Sequence, residues 1–313
     1  MIEIFSKATN GNLTRKAISV GDLRPAANAW ISLEDPSREE LDVTTDKFGL
    51  KAGNLSDALD IHESPRLDHD NAHDYLYVRW PRMNKSGSTS TSPLLFVYSA
   101  ADLLTVSPVK LDNADFLGSD VDFSMRSSKA MLLQILTQIF NEYELYIKGQ
   151  TQSVKKLIDK MQRGKLESED FIRFVLVEEQ INSFTSALDP VVPLMRRLAT
   201  SKHLVLTNND RDMIEDIILS VEQSIHTCNT NVARIVSVRE AYAALSNNSL
   251  NRTMKALTAA TFFIALPNVV FGMYGMNIEL PMQHHPWAFI AIIAGTVTAI
   301  VAVILVAKRR HWF

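Results

Sequence analysis

The chain has 313 residues, a formal net charge of -3 and 46% hydrophobic residues. This length is enough for one sizeable soluble domain plus a membrane part, and the slightly acidic balance argues against a nucleic-acid-binding protein. The charge density is ordinary up to Thr253 and falls sharply after it. Cys228 is the only cysteine, so no internal disulfide is possible, which is typical of a reducing compartment. Residues 1–16 lack the apolar core and the cleavage site of a signal peptide, so we expect the soluble part to stay in the cytoplasm.

Residues 1–125 mix short strand and helix signals and predict an α/β domain. Runs rich in β-branched and aromatic residues predict strands at 28–33, 75–80, 94–98 and 103–107. Residues 84–92 are polar and include turn-forming types, so we expect a hairpin loop there.

From residue 126 to residue 207 the pattern predicts a pair of helices. The two long periodic segments are 128–162 and 168–200, and they are separated near Gly164. Pro190 and Pro193 are expected to kink or break the second helix, because proline removes a helical hydrogen bond.

A further helix is predicted to begin near Asn208, Asn209 and Asp210, whose side chains suit an N-cap. Neither proline nor glycine follows before Pro267, so we expect one unbroken helix over 208–277. About 60 residues correspond to roughly 90 Å at 1.5 Å per residue. A helix of this length needs neighbours, most simply copies of itself in an oligomer.

The last part of the chain contains two strongly apolar segments, 256–277 and 286–307. Each has 22 residues and no formal charge, and about 20 such residues are enough to cross the hydrocarbon core of a bilayer. We therefore predict an integral membrane protein in which two spans are joined by the loop 278–285.

The orientation of this hairpin follows from its basic residues. Arg252 and Lys255 precede the first span, and the basic tail 308–313 follows the second, whereas the loop contains neither lysine nor arginine. The positive-inside rule then places both termini in the cytoplasm and the loop outside.

One face of the first span carries small and polar residues at membrane depth. Steps of three or four residues from Asn251 define this face. It comprises Asn251, Met254, Leu257, Thr258, Thr261, Ala265, Asn268 and Gly272. Such a face can line a water-filled path or pack against another helix, and the spacing is compatible with both interpretations.

The first span closes with Tyr274, Gly275, Met276 and Asn277. A helix C-terminus carries free carbonyls and a partial negative charge. Gly275 allows a close backbone approach, and Asn277 adds an amide oxygen. A ring of such oxygens would suit a cation that keeps its water shell, as Mg²⁺ does.

The tetrapeptide 274–277 resembles the signature of the CorA family of magnesium transporters, in which it follows the first of two C-terminal spans. The segment 251–258 resembles that family's entry into the span, and the tail 308–313 resembles its ending. Residues 30–37 and 64–68 are similar to its N-terminal domain. The resemblance therefore covers nearly the whole chain.

This resemblance implies a funnel-shaped homopentamer with a cytoplasmic α/β domain, a long stalk helix that continues into the pore, and an outer ring of second spans. It implies that hydrated Mg²⁺ binds at the Gly-Met-Asn ring. It also implies a pore lined by Asn251, Met254, Leu257, Ala265 and Asn268. Met254 and Leu257 would then form a hydrophobic constriction near the cytoplasmic end. The agreement with the face defined by spacing favours the pore-lining interpretation.

The resemblance further implies regulatory Mg²⁺ sites on acidic residues between cytoplasmic domains. Asp212, Glu215 and Asp216 lie near the expected height on the stalk, although motif matching and counting from Asn277 select different residues. The outer loop departs from the family pattern, since it carries His284 and His285 in place of an acidic stretch. This histidine pair could bind Zn²⁺, Co²⁺ or Ni²⁺, or could simply be polar and interfacial.

A second group of ligand-type side chains lies in the N-terminal domain. It comprises Asp68, His69, Asp70, His73 and Asp74. It is either a metal site or a polar turn before a strand.

The sequence contains no nucleophile–base arrangement, phosphate loop or zinc motif, so we predict neither an enzyme nor an organic cofactor. We expect passive transport of Mg²⁺, driven by the membrane potential. Two rival hypotheses are a Zn²⁺, Co²⁺ or Ni²⁺ transporter of the ZntB type and a non-conducting membrane scaffold. Met276 argues against the first, because ZntB-like proteins commonly carry isoleucine there, and the intact Asn277 argues against the second.

Overall fold

The computed structural model describes residues 2–7, 13–24, 29–70, 73–83, 87, 89–99, 102–111, 127–200, 206–277 and 284–309. Within it the chain forms two compact units, residues 1–236 and residues 237–313. One long helix runs through both units.

The first unit contains a seven-stranded sheet with the strand order β2-β1-β3-β7-β6-β5-β4. The strands are β1 Ile2–Lys7, β2 Leu13–Ile18, β3 Trp30–Glu34, β4 Arg66–His69, β5 Asp74–Met83, β6 Thr89–Tyr98 and β7 Leu103–Ser107. Strands β3 and β7 are parallel, and the other neighbouring pairs are antiparallel. This arrangement confirms the predicted α/β domain.

The helices are α1 Arg38–Phe48, α2 Ala52–Asp57, α3 Ser128–Gln162, α4 Ser168–Leu188, α5 Val191–Ala199, α6 Asn208–Tyr274 and α7 Ala288–Arg309. The predicted break near Pro190 is confirmed, because α4 ends at Leu188 and α5 begins at Val191. The unbroken helix predicted from Asn208 is also confirmed, since α6 has 67 residues and contains Pro267 in its interior.

Both faces of the sheet are covered. On one face Ile31, Leu33 and Tyr77 form a core with Leu41 of α1 and Leu55 of α2. The strand residues that alternate with these point to the other face, against which α3 and α4 pack. The sheet is therefore a buried layer between two helical layers.

The prediction of a hairpin loop at 84–92 was wrong for its second half. Residues 89–92 belong to β6 and pair with residues 80–83 of β5. Thr91 is buried, and its side chain accepts a hydrogen bond of 2.9 Å from Nε of Arg79. Polar residues thus occupy strand positions because cross-strand partners satisfy them, which their local sequence does not reveal.

Strands β1, β2 and β4 were not predicted; β2 and β4 are the edge strands of the sheet, and β1 lies next to β2. Glu3 in β1 interrupts the apolar pattern, yet it is buried and forms an ion pair of 2.7 Å with Arg15 of β2. The pairing that stabilises these strands is therefore supplied by tertiary contacts.

The start of α6 is fixed by Asp210. The Asp210 carboxylate accepts a hydrogen bond of 2.8 Å from the Thr207 amide, and the Lys129 ammonium of α3 lies 3.1 Å from it. Partial burial disfavours the ionised form, but the Thr207 and Lys129 contacts outweigh it and hold the pKa of Asp210 below its ordinary value of 3.8.

Replacing Asp210 by asparagine should therefore lower the thermal stability of the protein at neutral pH. Because the folded pKa lies below the unfolded one, the carboxylate stabilises the fold above pH 3.8, and this contribution is lost as the pH falls through the folded pKa. The difference in Tm between variant and wild type should shrink over that range. Asp159→Asn, on an exposed position of α3, is the control, and a difference in Tm that does not change with pH would contradict the assignment.

Candidate functional site

In the described residues, the second unit consists of α7 and the C-terminal part of α6. Two helices in the described structure, α6 and α7, are long and apolar enough to cross a membrane by length and composition. None of the most apolar window of α6 is buried, and almost none of that of α7 is. These helices are therefore unlike the buried core helices of a soluble domain, which confirms the prediction of two apolar C-terminal helices.

On each of the two helices, one stripe of residues is less exposed than the rest. In the apolar part of α6, from residue 256 onwards, the half-buried residues are Ala259, Phe263, Leu266, Pro267 and Val270. In α7 the stripe comprises Ile292, Thr296, Ile300 and Val303. Both sets recur at helical spacing and so occupy one side of their helix. Each stripe is therefore the less exposed side of its own helix within the second unit.

Successive residues of a helix are rotated by about 100°. The face of α6 predicted to line a pore therefore lies roughly opposite to the half-buried stripe of α6. All of its residues are exposed: Asn251, Met254, Leu257, Thr258, Thr261, Ala265, Asn268 and Gly272. Met254 is 53% exposed and Leu257 is 60% exposed. The predicted face is therefore an exposed side of α6 and shares no residue with the half-buried stripe.

The two threonine hydroxyls on this face are satisfied within the helix. The Thr258 hydroxyl donates to the Met254 carbonyl over 2.8 Å, and the Thr261 hydroxyl donates to the Leu257 carbonyl over 2.9 Å. The hydroxyl oxygens keep lone pairs that point away from the backbone. The two threonines can therefore accept hydrogen bonds from water while their own hydroxyl protons stay bonded within the helix.

Helix α6 ends at Tyr274, three residues before the end of the predicted span. The Gly275 amide donates to the Phe271 carbonyl over 3.0 Å, and the Met276 amide donates to the Met273 carbonyl over 3.3 Å. A Cβ on Gly275 would lie 3.3 Å from the Phe271 carbonyl oxygen. Glycine thus provides space at this helix end, beyond which the side chains of Met276 and Asn277 are exposed.

The candidate regulatory residues Asp212, Glu215 and Asp216 are all exposed on α6. Their spacing places them on one side of the helix. His284 and His285 are also exposed. Among the residues that the structure describes, no three His, Cys, Asp or Glu side chains converge as a metal site.

The group around the β4–β5 turn is not a metal site in this structure. His69 Nδ1 lies 2.5 Å from the Asp74 carboxylate, and the Tyr75 hydroxyl donates to Asp70 over 2.7 Å. His73 uses its backbone amide to bond Asp70. Most of these groups are therefore bonded within the turn, which favours the polar turn over the metal site, the two interpretations that the sequence left open.

Comparison with known proteins agrees with this architecture. The pattern that defines the CorA-like Mg²⁺ transporter proteins matches residues 25–309. The chain belongs to this family. It is 25% identical to the cobalt/magnesium transport protein CorA of Methanocaldococcus jannaschii, over the full length of both chains. It is 20% identical to the magnesium transport protein CorA of Haemophilus influenzae, over 90% of this chain and 91% of that protein.

Several solved structures have the same fold as this chain. The complete CorA magnesium transporter of M. jannaschii matches with a TM-score of 0.85 and 24% identity, over 100% of this chain and 99% of that chain. The full-length CmaX protein matches with a TM-score of 0.76 and 16% identity, over 98% and 97% of the two chains. The ZntB cytoplasmic domain from Vibrio parahaemolyticus matches with a TM-score of 0.62 and 12% identity, over 79% and 98%. This CorA chain is thus a membrane protein with a sheet domain, one long helix and two apolar C-terminal helices.

The sequence interpretation missed the half-buried stripe of α6. Phe263, Leu266 and Val270 recur at helical spacing, so the signal was present in the sequence. It was hidden because almost every residue of the span is apolar, and a uniformly apolar helix does not show which side is packed.

Proposed function

We propose that this CorA chain forms a passive channel for Mg²⁺, with a pore lined by the exposed face of α6 in a homopentamer. The observation that carries the proposal is the exposed stripe of small and polar residues that lies opposite the half-buried stripe of α6 and leads to Gly275, Met276 and Asn277. One hairpin cannot enclose a pore, whereas several copies around an axis can. Exposed apolar residues such as Met254 and Leu257 would then be covered by neighbouring copies.

Selection would take place at the end of α6. The carbonyls of the last turn and the Asn277 amide oxygen can accept hydrogen bonds from the water shell of Mg²⁺, which loses its water reluctantly. Met254 and Leu257 would form a hydrophobic constriction nearer the cytoplasm, where an apolar ring gates by excluding water.

The driving force would be the membrane potential. With both termini in the cytoplasm and the loop 278–285 outside, a negative interior draws cations inward. A potential of 100 mV contributes about 2.3 kcal/mol per charge, and therefore about 4.6 kcal/mol for a divalent ion. No further energy source is required by this mechanism.

The exposed carboxylates Asp212, Glu215 and Asp216 complete the proposal as cytoplasmic Mg²⁺ sites. Their exposure in the single chain leaves them available to ions and to acidic groups of a neighbouring copy. Occupation at high internal Mg²⁺ would hold the channel closed, and release at low Mg²⁺ would open it.

Uptake into liposomes tests the transport function. Purified protein should take up Mg²⁺ when the interior is made negative, and high internal Mg²⁺ should slow that uptake. Parallel measurements with Co²⁺, Zn²⁺ and Ni²⁺ decide between the proposal and its rivals. Preference for Zn²⁺ or Ni²⁺ over Mg²⁺ would support a transporter of the other type, and no uptake of any ion would support a scaffold.

Gly275→Ala should lower the uptake rate by roughly threefold to tenfold. The added Cβ would contact the Phe271 carbonyl oxygen at 3.3 Å, and relieving this contact by bending the backbone costs about 1 kcal/mol and shifts Asn277. Gly295→Ala in α7 is the matched control, because nothing lies within 4 Å of a Cβ built there. Equal uptake by the two variants would contradict the idea that this helix end must be kept in place.

A further inference from the structure

The part of α6 inside the first unit buries a single stripe of side chains, which we name the α6 seam. Its positions alternate strictly by three and four residues, the spacing of a helix that packs along one line. The seam comprises Ile214, Ile217, Val221, Ser224, Cys228, Asn231 and Ile235, all of which are buried.

The seam is aliphatic at both ends and small or polar in its middle. Ser224, Cys228 and Asn231 occupy three successive seam positions between Val221 and Ile235. These side chains bury less apolar surface than isoleucine or valine, so the hydrophobic contribution to packing is smaller there.

Asn231 makes an unfavourable contribution to the packing free energy of this middle section. It is 1% exposed, and its Nδ2 donates to the Thr151 hydroxyl of α3 over 2.7 Å. Its Oδ1 is buried and has no hydrogen-bond partner among the described residues. The Thr151 hydroxyl cannot supply a proton to it, because it donates to the Ile147 carbonyl over 2.8 Å. A buried acceptor without a partner regains a hydrogen bond only when water reaches it.

The N-terminal end of the same helix is held by polar contacts as well as by aliphatic ones. Arg211 donates to the Ala199 carbonyl over 3.0 Å, and Arg196 of α5 forms an ion pair of 2.9 Å with Glu222. Both contacts lie before Ser224. The middle section is bonded to α3 through Asn231 and Thr151 and contacts α4 through Cys228 and Thr185, so it differs from this end chiefly in burying less apolar surface.

We propose that residues 224–231 are a built-in weak section of the α6 seam, at which α6 separates locally from α3 and α4 while the sheet domain stays folded. This section gives the long helix a place to change its packing without global unfolding. In the channel proposed above, the weak section is where α6 moves when cytoplasmic Mg²⁺ is released. This link to Mg²⁺ release rests on the proposed function.

The chain supplies its own probe for this opening. Cys228 lies in the middle of the weak section, is 0% exposed, and is the only cysteine of the chain. A maleimide can react with it only after the seam opens. We expect Cys228 in the full-length protein in lipid nanodiscs to be labelled under native conditions. The rate should be at least about tenfold faster than that of a cysteine placed at Ile217 in an Ile217→Cys, Cys228→Ser variant.

Two variants should move the labelling rate in opposite directions. Thr151→Val removes the partner of Asn231 Nδ2 and leaves the whole amide unsatisfied, so labelling should become faster. Thr151→Val combined with Asn231→Leu removes the buried polar pair, so labelling should slow by about tenfold. Asn229→Leu, at an exposed position two residues away, should leave the rate unchanged.

Equal labelling rates at positions 217 and 228 would overturn the proposal, as would a rate at Cys228 that neither Thr151 variant changes. These measurements do not involve ion transport, so they stand apart from the test of the channel. In liposomes the double variant should reduce the dependence of uptake on internal Mg²⁺. An unchanged dependence, together with slower labelling, would overturn the link to Mg²⁺ release.

Discussion

Asn277→Ala should reduce Mg²⁺ uptake by about 10- to 100-fold. A hydrogen bond to a charged group contributes about 1.5–3 kcal/mol, and the variant removes the amide oxygen that would accept from the water shell of the ion. Asn277 is exposed beyond the end of α6. Its loss therefore leaves no buried cavity, and the fold of the chain should be preserved.

The experiment compares initial uptake rates in liposomes at equal amounts of assembled protein. Asn247→Ala is a matched control, because Asn247 is an exposed asparagine of α6 that precedes the first span. Asn277→Gln, which keeps the amide on a longer side chain, should retain part of the rate. Uptake by Asn277→Ala at the wild-type rate would remove Asn277 from the proposed selectivity ring.

Phe184→Ala should lower the free energy of unfolding of the first unit by about 3–5 kcal/mol, the usual effect of deleting a buried aromatic ring. Phe184 of α4 is fully buried and meets the Tyr143 ring edge to face, with 5.5 Å between centroids. The Tyr143 hydroxyl in turn donates to the Arg79 carbonyl of β5 over 3.0 Å. This cluster thus joins α3, α4 and the sheet, and a cavity here weakens all three contacts.

Chemical denaturation followed by tryptophan fluorescence measures this effect, since Trp30 and Trp80 are both buried in the first unit. Ile172→Ala on the same helix is the control, because Ile172 is 62% exposed and its truncation should change stability by less than about 0.5 kcal/mol. Similar midpoints for the two variants would show that the Phe184 cluster does not hold the helical layer on the sheet.

Long features of the chain were predicted well because their signals are local. The absence of glycine and proline before Pro267 was enough to predict α6. The uncharged runs were enough to predict two apolar helices, although α6 ends at Tyr274 and α7 extends from Ala288 to Arg309 rather than over 286–307. Strands β5, β6 and β7 were found from their β-branched and aromatic residues.

Short and polar features were predicted poorly because distant residues decide them. Thr91 was predicted to lie in a loop, because its hydrogen bond with Arg79 of the neighbouring strand is not visible in the local sequence. His69 and Asp74 fit either a metal site or a polar turn until they are seen to bond each other. In both cases the same side-chain chemistry has two uses, and only the neighbour brought by the fold selects one of them.

The sequence by itself determined that this chain has a mixed N-terminal domain, one long helix and two apolar C-terminal helices. It also determined that the first predicted span ends at Gly-Met-Asn. These features could be predicted because length, charge and periodicity are local properties. It left open whether the stripe from Asn251 to Asn268 packs on a helix or faces away. The tertiary structure decided that Phe263, Leu266 and Val270 lie on the half-buried side of α6 and that the Asn251 stripe is exposed. An almost uniformly apolar helix has no sequence signal for its packed side, so only the position of its neighbour could supply that information.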